Sequence, residues 1–219
     1  MVVLLDQILW SKTYVWTLKK YSNPKTQKYW ADVQNWVTII NPEVIASQLE
    51  AARTKIQQLK KDNKQILLIC EKVLYRDEIE ALSKDTWIHY LNYKVPGGVL
   101  TNFDTLTSRI NSMNELKNYI DSEDFGKLTK KEKLVKIRQY NKLEIVYKWV
   151  KNLKALPDFV IIVDGVFMSK FVNEVEKMKI DNLVLSTTNF NRRWKDENLV
   201  LMNVNSYDSL DFVLKYILK

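Results

Sequence analysis

Few side chains in this sequence stand where they could do covalent chemistry. His89 is the only histidine and Cys70 the only cysteine, so any Ser/His/Asp or Cys/His device has to use one of them. Cys70 closes the apolar run QILLIC, and His89 sits in the strand-like run TWIHY. Both read as packed residues. Asp164 ends the apolar run FVIIV. A carboxylate there either exchanges protons with a substrate or caps the loop that follows; no second carboxylate or histidine lies nearby in sequence, so the capping role is preferred. Clustered acids occur only around Ser122–Asp124, which reads as a solvated turn. No GxGxxG and no GxxxxGK followed by Ser or Thr is present. Two of the four glycines, Gly97 and Gly98, stand together after Pro96, but nothing after them would hold a phosphate chain. The expectation is no cofactor, no metal and no small-molecule substrate.

The second chemistry in view is recognition of a polyanion. The 219 residues carry 34 Lys and Arg against 26 Asp and Glu, a net charge of +8. From Ser11 to Trp30 there are five lysines and no acid, interleaved with Tyr14, Trp16, Tyr21, Tyr29 and Trp30. Cations for phosphates and flat rings for bases suit RNA; a solvated basic loop whose rings pack on the core is the alternative. Hydrophobic content of 46% and charged content of 27% describe a globular chain. No apolar run reaches the length of a membrane span, and the start MVVLLDQILW lacks the basic leader of a secretory signal.

These groups need a scaffold to hold them. Residues 2–10 predict a short helix. VTII (Val37–Ile40), ILLIC (Ile66–Cys70) and Trp87–Tyr90 read as strands, separated by a helix opened by Asn41-Pro42 and another over 75–83. Ile45, Leu49, Ala52, Ile56 and Leu59 form the apolar stripe of the first of these helices. Strand, helix, strand, helix, strand predicts a parallel sheet. It resumes after Pro157 with FVIIV, a helical stripe Phe167, Phe171, Val175 and Met178, then LVLS, LVLM and a closing helix. Between the halves, Asp104–Leu156 has no strand-like run. Leu106, Ile110, Met113, Leu116 and Ile120, and then Leu134, Ile137, Leu143, Val146, Val150 and Leu153, predict an antiparallel coiled-coil hairpin. Its first half is acidic, whereas residues 127–154 carry ten Lys and Arg against Glu132 and Glu144. The division expected is a basic and aromatic N-terminal extension over 1–36, an α/β domain over 37–103 and 157–219, and the hairpin insertion over 104–156.

The stretch KVPGGVLTNF (Lys94–Phe103) resembles the word that precedes the coiled-coil hairpin in the small-subunit ribosomal protein S2 family of bacterial and mitochondrial type. Pro96, Gly97, Gly98, Leu100, Thr101, Asn102 and Phe103 match it, Lys94 stands for an arginine, and Val95 replaces the usual tryptophan. LKALPDFVIIVD (Leu153–Asp164) is similar to the family's segment after the hairpin. Glu174 and Ile180 fall at the family's spacing from Asp164. Thr188-Asn189 resembles its Asp-Thr-Asn, and Ser22-Asn23-Pro24-Lys25 with Tyr29 resembles its Trp-Asn-Pro-Lys…Tyr. The N-terminal His-Phe-Gly-His word is absent, as is Asn-Gly before the first strand, and Met168 stands where an acid is usual.

The resemblance implies a flavodoxin-like, doubly wound parallel sheet with a projecting coiled-coil hairpin. It implies a structural, non-enzymatic role in the small ribosomal subunit, with small-subunit rRNA and neighbouring ribosomal proteins as partners. Asn23, Lys25, Lys28, Lys94, Gly97, Gly98, Thr101, Asn102, Arg192 and Arg193 are the expected RNA-binding residues, with Lys195 beside them. Heavy use of Lys, Asn, Ile, Tyr and Leu, together with the departures above, points to the mitochondrial matrix, with the bacterial cytoplasm as the alternative. Two other functions stay open: an α/β enzyme acting on a nucleotide or sugar phosphate through Asp164 or His89, and a coiled-coil adaptor that meets a protein.

Overall fold

The computed structural model describes residues 2–86, 88–147, 155–191 and 198–219. The chain opens with α1 (Val2–Trp10), then β1 (Val15–Leu18), β2 (Trp30–Gln34) and β3 (Val37–Ile40). These strands form a three-stranded antiparallel sheet in the order β1-β3-β2. VTII is therefore not the first strand of the parallel sheet, as its apolar pattern suggested. A run of β-branched residues specifies a strand but not its partner. Here Asn35 and Trp36, at φ of 47° and 64°, make a tight left-handed turn that folds β2 back onto β3. β1 covers the other edge, with Val15 opposite Ile39.

Next come α2 (Pro42–Lys61), β4 (Ile66–Ile69), α3 (Arg76–Thr86), β5 (His89–Leu91), α4 (Phe103–Ile120), α5 (Glu123–Gly126), α6 (Lys130–Tyr147), β6 (Phe159–Val163), α7 (Ser169–Met178), β7 (Asp181–Ser186), β8 (Leu199–Leu201) and α8 (Tyr207–Leu218). β4 to β8 make a parallel sheet of five strands in the order β5-β4-β6-β7-β8. Numbered from β4, that is 2-1-3-4-5, the winding that places a crevice between the first and third strands at their carboxyl ends. β4, β6 and β8 are buried at every residue, as strands covered on both faces must be.

The cap expected for α2 is present: Asn41 Oδ1 accepts the Glu43 N–H at 2.9 Å, with Pro42 in the first turn. Ile45, Leu49, Ala52 and Ile56 are buried, and Leu59 packs beside them. α2 packs on α8 and β8. Phe167 is 65% exposed because α7 begins only at Ser169, so it is not part of the buried stripe of Phe171 and Val175. The third strand starts at His89; Trp87 lies outside the described residues.

α4 and α6 pack together in opposite directions. Tyr119, at the end of α4, meets Phe125 at 6.2 Å and lies 5.9 Å from Lys136 Nζ near the start of α6. Tyr147, at the end of α6, lines a small cavity with Leu106 and Gly98 at the root of α4. On α4, Leu106, Ile110 and Met113 are buried as the spacing predicts. On α6 the expected seam is corrected in its first half. Leu134 is 48% and Ile137 is 37% exposed, and no described residue of the helix is fully buried. The half-buried positions are Lys133, Lys136, Tyr140, Leu143, Glu144, Val146 and Tyr147, so Leu143 and Val146 of the expected seam are among them. Aliphatic lysine stems and tyrosine rings fill places where an apolar residue was sought. Val150 and Leu153, also assigned to the seam, lie outside the described residues.

Candidate nucleic-acid interface

Because the five strands are parallel, the loops that follow them emerge at one end of the sheet. These loops gather most of the words that the sequence singled out. After β5 the chain runs through Lys94-Val95-Pro96-Gly97-Gly98 and reverses at Gly98, whose φ is +82°. A side chain would be strained in that backbone conformation. The turn exposes a row of backbone N–H groups, but a carboxylate of the protein already fills it. Glu174 Oε1 accepts the N–H of Leu100 at 2.6 Å and of Thr101 at 2.8 Å, and Oε2 accepts that of Gly98 at 3.2 Å. Thr101 Oγ1 adds a bond of 3.2 Å. Glu71, in the loop after β4, accepts the Val95 N–H at 2.7 Å. The row of N–H groups is thus filled from within by a carboxylate, and it fixes the root of α4.

The second word docks in the same region. Ser22 Oγ bonds Thr38 Oγ1 at 2.8 Å and Thr188 Oγ1 at 2.9 Å, and the Asn23 N–H donates to the Thr188 carbonyl at 2.8 Å. The Thr26 hydroxyl also donates to that carbonyl, at 3.0 Å. Asn23 Oδ1 accepts the Lys25 N–H and caps the 3-10 turn Pro24–Tyr29. Ser22-Asn23-Pro24-Lys25 and Thr188-Asn189 therefore form one junction between the small sheet and the large one. From it Lys25 and Lys28 point outward, with Lys28 Nζ 4.8 Å from the Tyr29 ring.

Asp164 sits at the carboxyl end of β6 with φ of +65°. Its carboxylate meets Lys72 Nζ at 2.6 Å and accepts the Phe167 N–H at 3.1 Å, so its partners are structural. Lys72 also donates to Asn205 Oδ1 at 2.5 Å. His89 is level with Val160 in the sheet, through Leu67 between them. That is four residues, about 13 Å of strand, short of Asp164, so the two cannot share a proton. Cys70 is buried, and burial pushes its thiol up to about 12, away from any nucleophilic use near neutrality. Among the described residues no group of three or more His, Cys, Asp or Glu could hold a metal ion, and no helix is long and apolar enough to cross a membrane.

The expected RNA-binding residues divide accordingly. Asn23, Gly98, Thr101 and Asn102 are engaged in holding the two turns; Asn102 Oδ1 accepts the Thr105 hydroxyl at 2.7 Å. Lys25, Lys28, Lys94 and Gly97 are exposed. Arg192, Arg193 and Lys195 lie outside the described residues. Sequence reasoning met Glu174 only as part of a resemblance and missed Glu71, Lys72 and Gly165. A Cβ on Gly165 would lie 2.5 Å from Val184 Cγ1 and 2.8 Å from Phe190 Cε2, so its loop needs a glycine for close approach. No local pattern could have revealed that, because both neighbours come from later in the chain.

The fold and this edge define an α/β protein with a 2-1-3-4-5 parallel sheet, a helix pair rooted on a carboxylate-filled glycine turn, and exposed Lys25, Lys28 and Lys94. The family model for ribosomal protein S2 matches residues 8–219. The small ribosomal subunit protein uS2 of Wigglesworthia glossinidia brevipalpis is 31% identical over 197 residues, covering 90% of this chain and 81% of that protein. Those named small ribosomal subunit protein uS2 in Mannheimia succiniciproducens and Francisella tularensis subsp. holarctica are 28% and 26% identical. They cover 78% and 97% of this chain, and 71% and 88% of their own lengths. The chain belongs to the ribosomal protein S2 family.

Proposed function

We propose that this protein is a non-enzymatic structural component of the small ribosomal subunit, where it binds small-subunit rRNA and neighbouring ribosomal proteins. Family membership across nearly the whole chain carries this reading. The chemistry of the edge supports it: cations stand on rigid turns around a glycine loop that already holds a carboxylate, which suits a phosphate backbone more than a metabolite. In this reading Lys25, Lys28 and Lys94 neutralise phosphates, together with Arg192, Arg193 and Lys195. Asn23, Gly98, Thr101 and Asn102 hold the turns that present them. Gly97 admits RNA close to the backbone: it is exposed, and a Cβ there would meet nothing within 4 Å. The α4–α6 pair acts as a coiled-coil strut inserted between residues 103 and 157 of a flavodoxin-like domain, with residues 1–36 as a basic extension, and docks proteins.

The compartment proposed is the mitochondrial matrix, on the composition and on the departures at the N-terminus and at Met168. The second reading is the bacterial cytoplasm, favoured by the bacterial sources of the relatives above. Locating the gene in an organellar or a bacterial genome decides between them.

Binding of the purified chain to small-subunit rRNA across a salt series tests the RNA role. Replacing Lys25 or Lys94 by Ala should reduce the slope of log affinity against log salt by roughly one unit each. Gly97→Val should keep the melting temperature and lose affinity. Unchanged slopes and affinities would refute these contacts.

A further inference from the structure

Beside the Ser22–Thr188 junction, a cavity of about 870 Å³ opens between the small sheet and the carboxyl ends of β6, β7 and β8. It is large enough for a ligand the size of a nucleotide. None of the contacts assigned above uses it. Its walls are apolar, built from side chains such as Leu18, Val37 and Val204. Two aromatic rings among its lining residues, Tyr21 and Phe167, are 61% and 65% exposed. Rings left this open contribute little to the core, and they offer flat faces to an incoming one.

The polar groups of the cavity suit the edge of a base. Asn205 Oδ1 accepts from Lys72, a donor only, which fixes the orientation of that amide, and Asn189 Oδ1 stands against the Thr187 hydroxyl. Neither amide nitrogen donates a hydrogen bond to a described residue, so two donors line the cavity. The Asp164 carboxylate supplies acceptors, with its charge balanced by Lys72 at 2.6 Å. Outside the mouth the charge is positive: Lys19 and Lys20 are exposed, and Lys20 Nζ lies 4.6 Å from the Tyr21 ring. An apolar slot with a polar floor and a cationic lip fits a nucleotide whose base enters and whose phosphates stay out.

We infer that this cavity receives an unstacked base of single-stranded RNA, held between Tyr21 and Phe167 with its edge toward Asn189, Asn205 and Asp164. The inference rests on the RNA-binding reading above and specifies one contact within it.

The test uses the full chain, a short single-stranded oligoribonucleotide, and the same oligonucleotide with abasic positions that keep every phosphate. Wild type should bind the base-containing strand about tenfold more tightly, the effect of one stacked base. Tyr21→Ala with Phe167→Ala should erase that preference without changing the melting temperature, since both side chains are exposed. A photoreactive uridine in the strand should cross-link to Tyr21 or Phe167. Equal binding of the two strands, or cross-links confined to Lys25, Lys28 or Lys94, overturns the cavity assignment and leaves rRNA binding intact. Occupancy by a free mononucleotide with no preference for the strand also overturns it. Failure to bind any RNA, intact rRNA included, overturns both.

Discussion

Glu174 and Leu100, 74 residues apart, are joined by a hydrogen bond of 2.6 Å from the Leu100 N–H to the Glu174 carboxylate. The same oxygen takes the Thr101 N–H, and its partner takes that of Gly98. α7 thereby fixes the point from which α4 departs. An Asp would be one methylene too short, and a Gln would turn an amide N–H toward a donor. Glu174→Gln should therefore destabilise the protein by about 1–3 kcal/mol, measured as a shift of the urea midpoint at constant m-value. An unshifted midpoint would mean that the turn stands without its carboxylate.

Gly165 offers a sharper steric case. Its missing Cβ leaves room for Val184 and Phe190. Gly165→Ala forces one of them to move, at about 1–3 kcal/mol. Adding Phe190→Leu should recover part of the loss, because the nearer ring atoms are then gone. A double variant no better than Gly165→Ala would show that Val184, not the ring, sets the limit.

At the β2–β3 turn the opposite substitution should help. Trp36 is 78% exposed and holds φ of 64°, a conformation that costs a residue with a Cβ roughly 1–2 kcal/mol. Trp36→Gly should raise the melting temperature, with about 1 kcal/mol of stabilisation remaining after the entropy of the added glycine. A lowered melting temperature would mean that the indole is packed in a way its exposure does not suggest.

Asp158 links stability to pH. Its carboxyl is held below the ordinary carboxylate range, first by the Gln65 N–H at 2.8 Å and then by Lys64 at 3.2 Å. The stabilisation is present above the ordinary value, about 4, and is lost as pH falls through the lower folded value. Asp158→Asn should flatten that acid limb and leave the slope above pH 6 unchanged. Parallel curves for the two proteins would assign the acid sensitivity elsewhere.

Much of the scaffold is legible in the sequence because its signals are local. The α2 stripe, the Asn41-Pro42 cap and FVIIV each state their own structure within one turn or one strand. Leu156-Pro157-Asp158 proves to be the clamp that returns the chain to the sheet, with Asp158 on the Gln65 N–H. What was misread depends on partners. VTII does not say which strand it pairs with, and the lysines of Ser11–Trp30 hide β1 among residues that resemble a loop. On α6 a count of apolar residues favours Leu134 and Ile137, yet both are exposed while Lys133, Lys136 and Tyr140 are half-buried. At the candidate interface the glycine turn was found, but not its occupant, because the carboxylate that fills it lies more than 70 residues downstream.

In the proposed role this chain is an RNA-bound structural part of the small ribosomal subunit. Sedimentation of a native extract through a gradient at moderate salt tests it most directly. The protein should travel with the small subunit and shift to the top of the gradient after ribonuclease treatment. A protein that stays at the top in untreated extract, or keeps its heavy position after the RNA is digested, would contradict it.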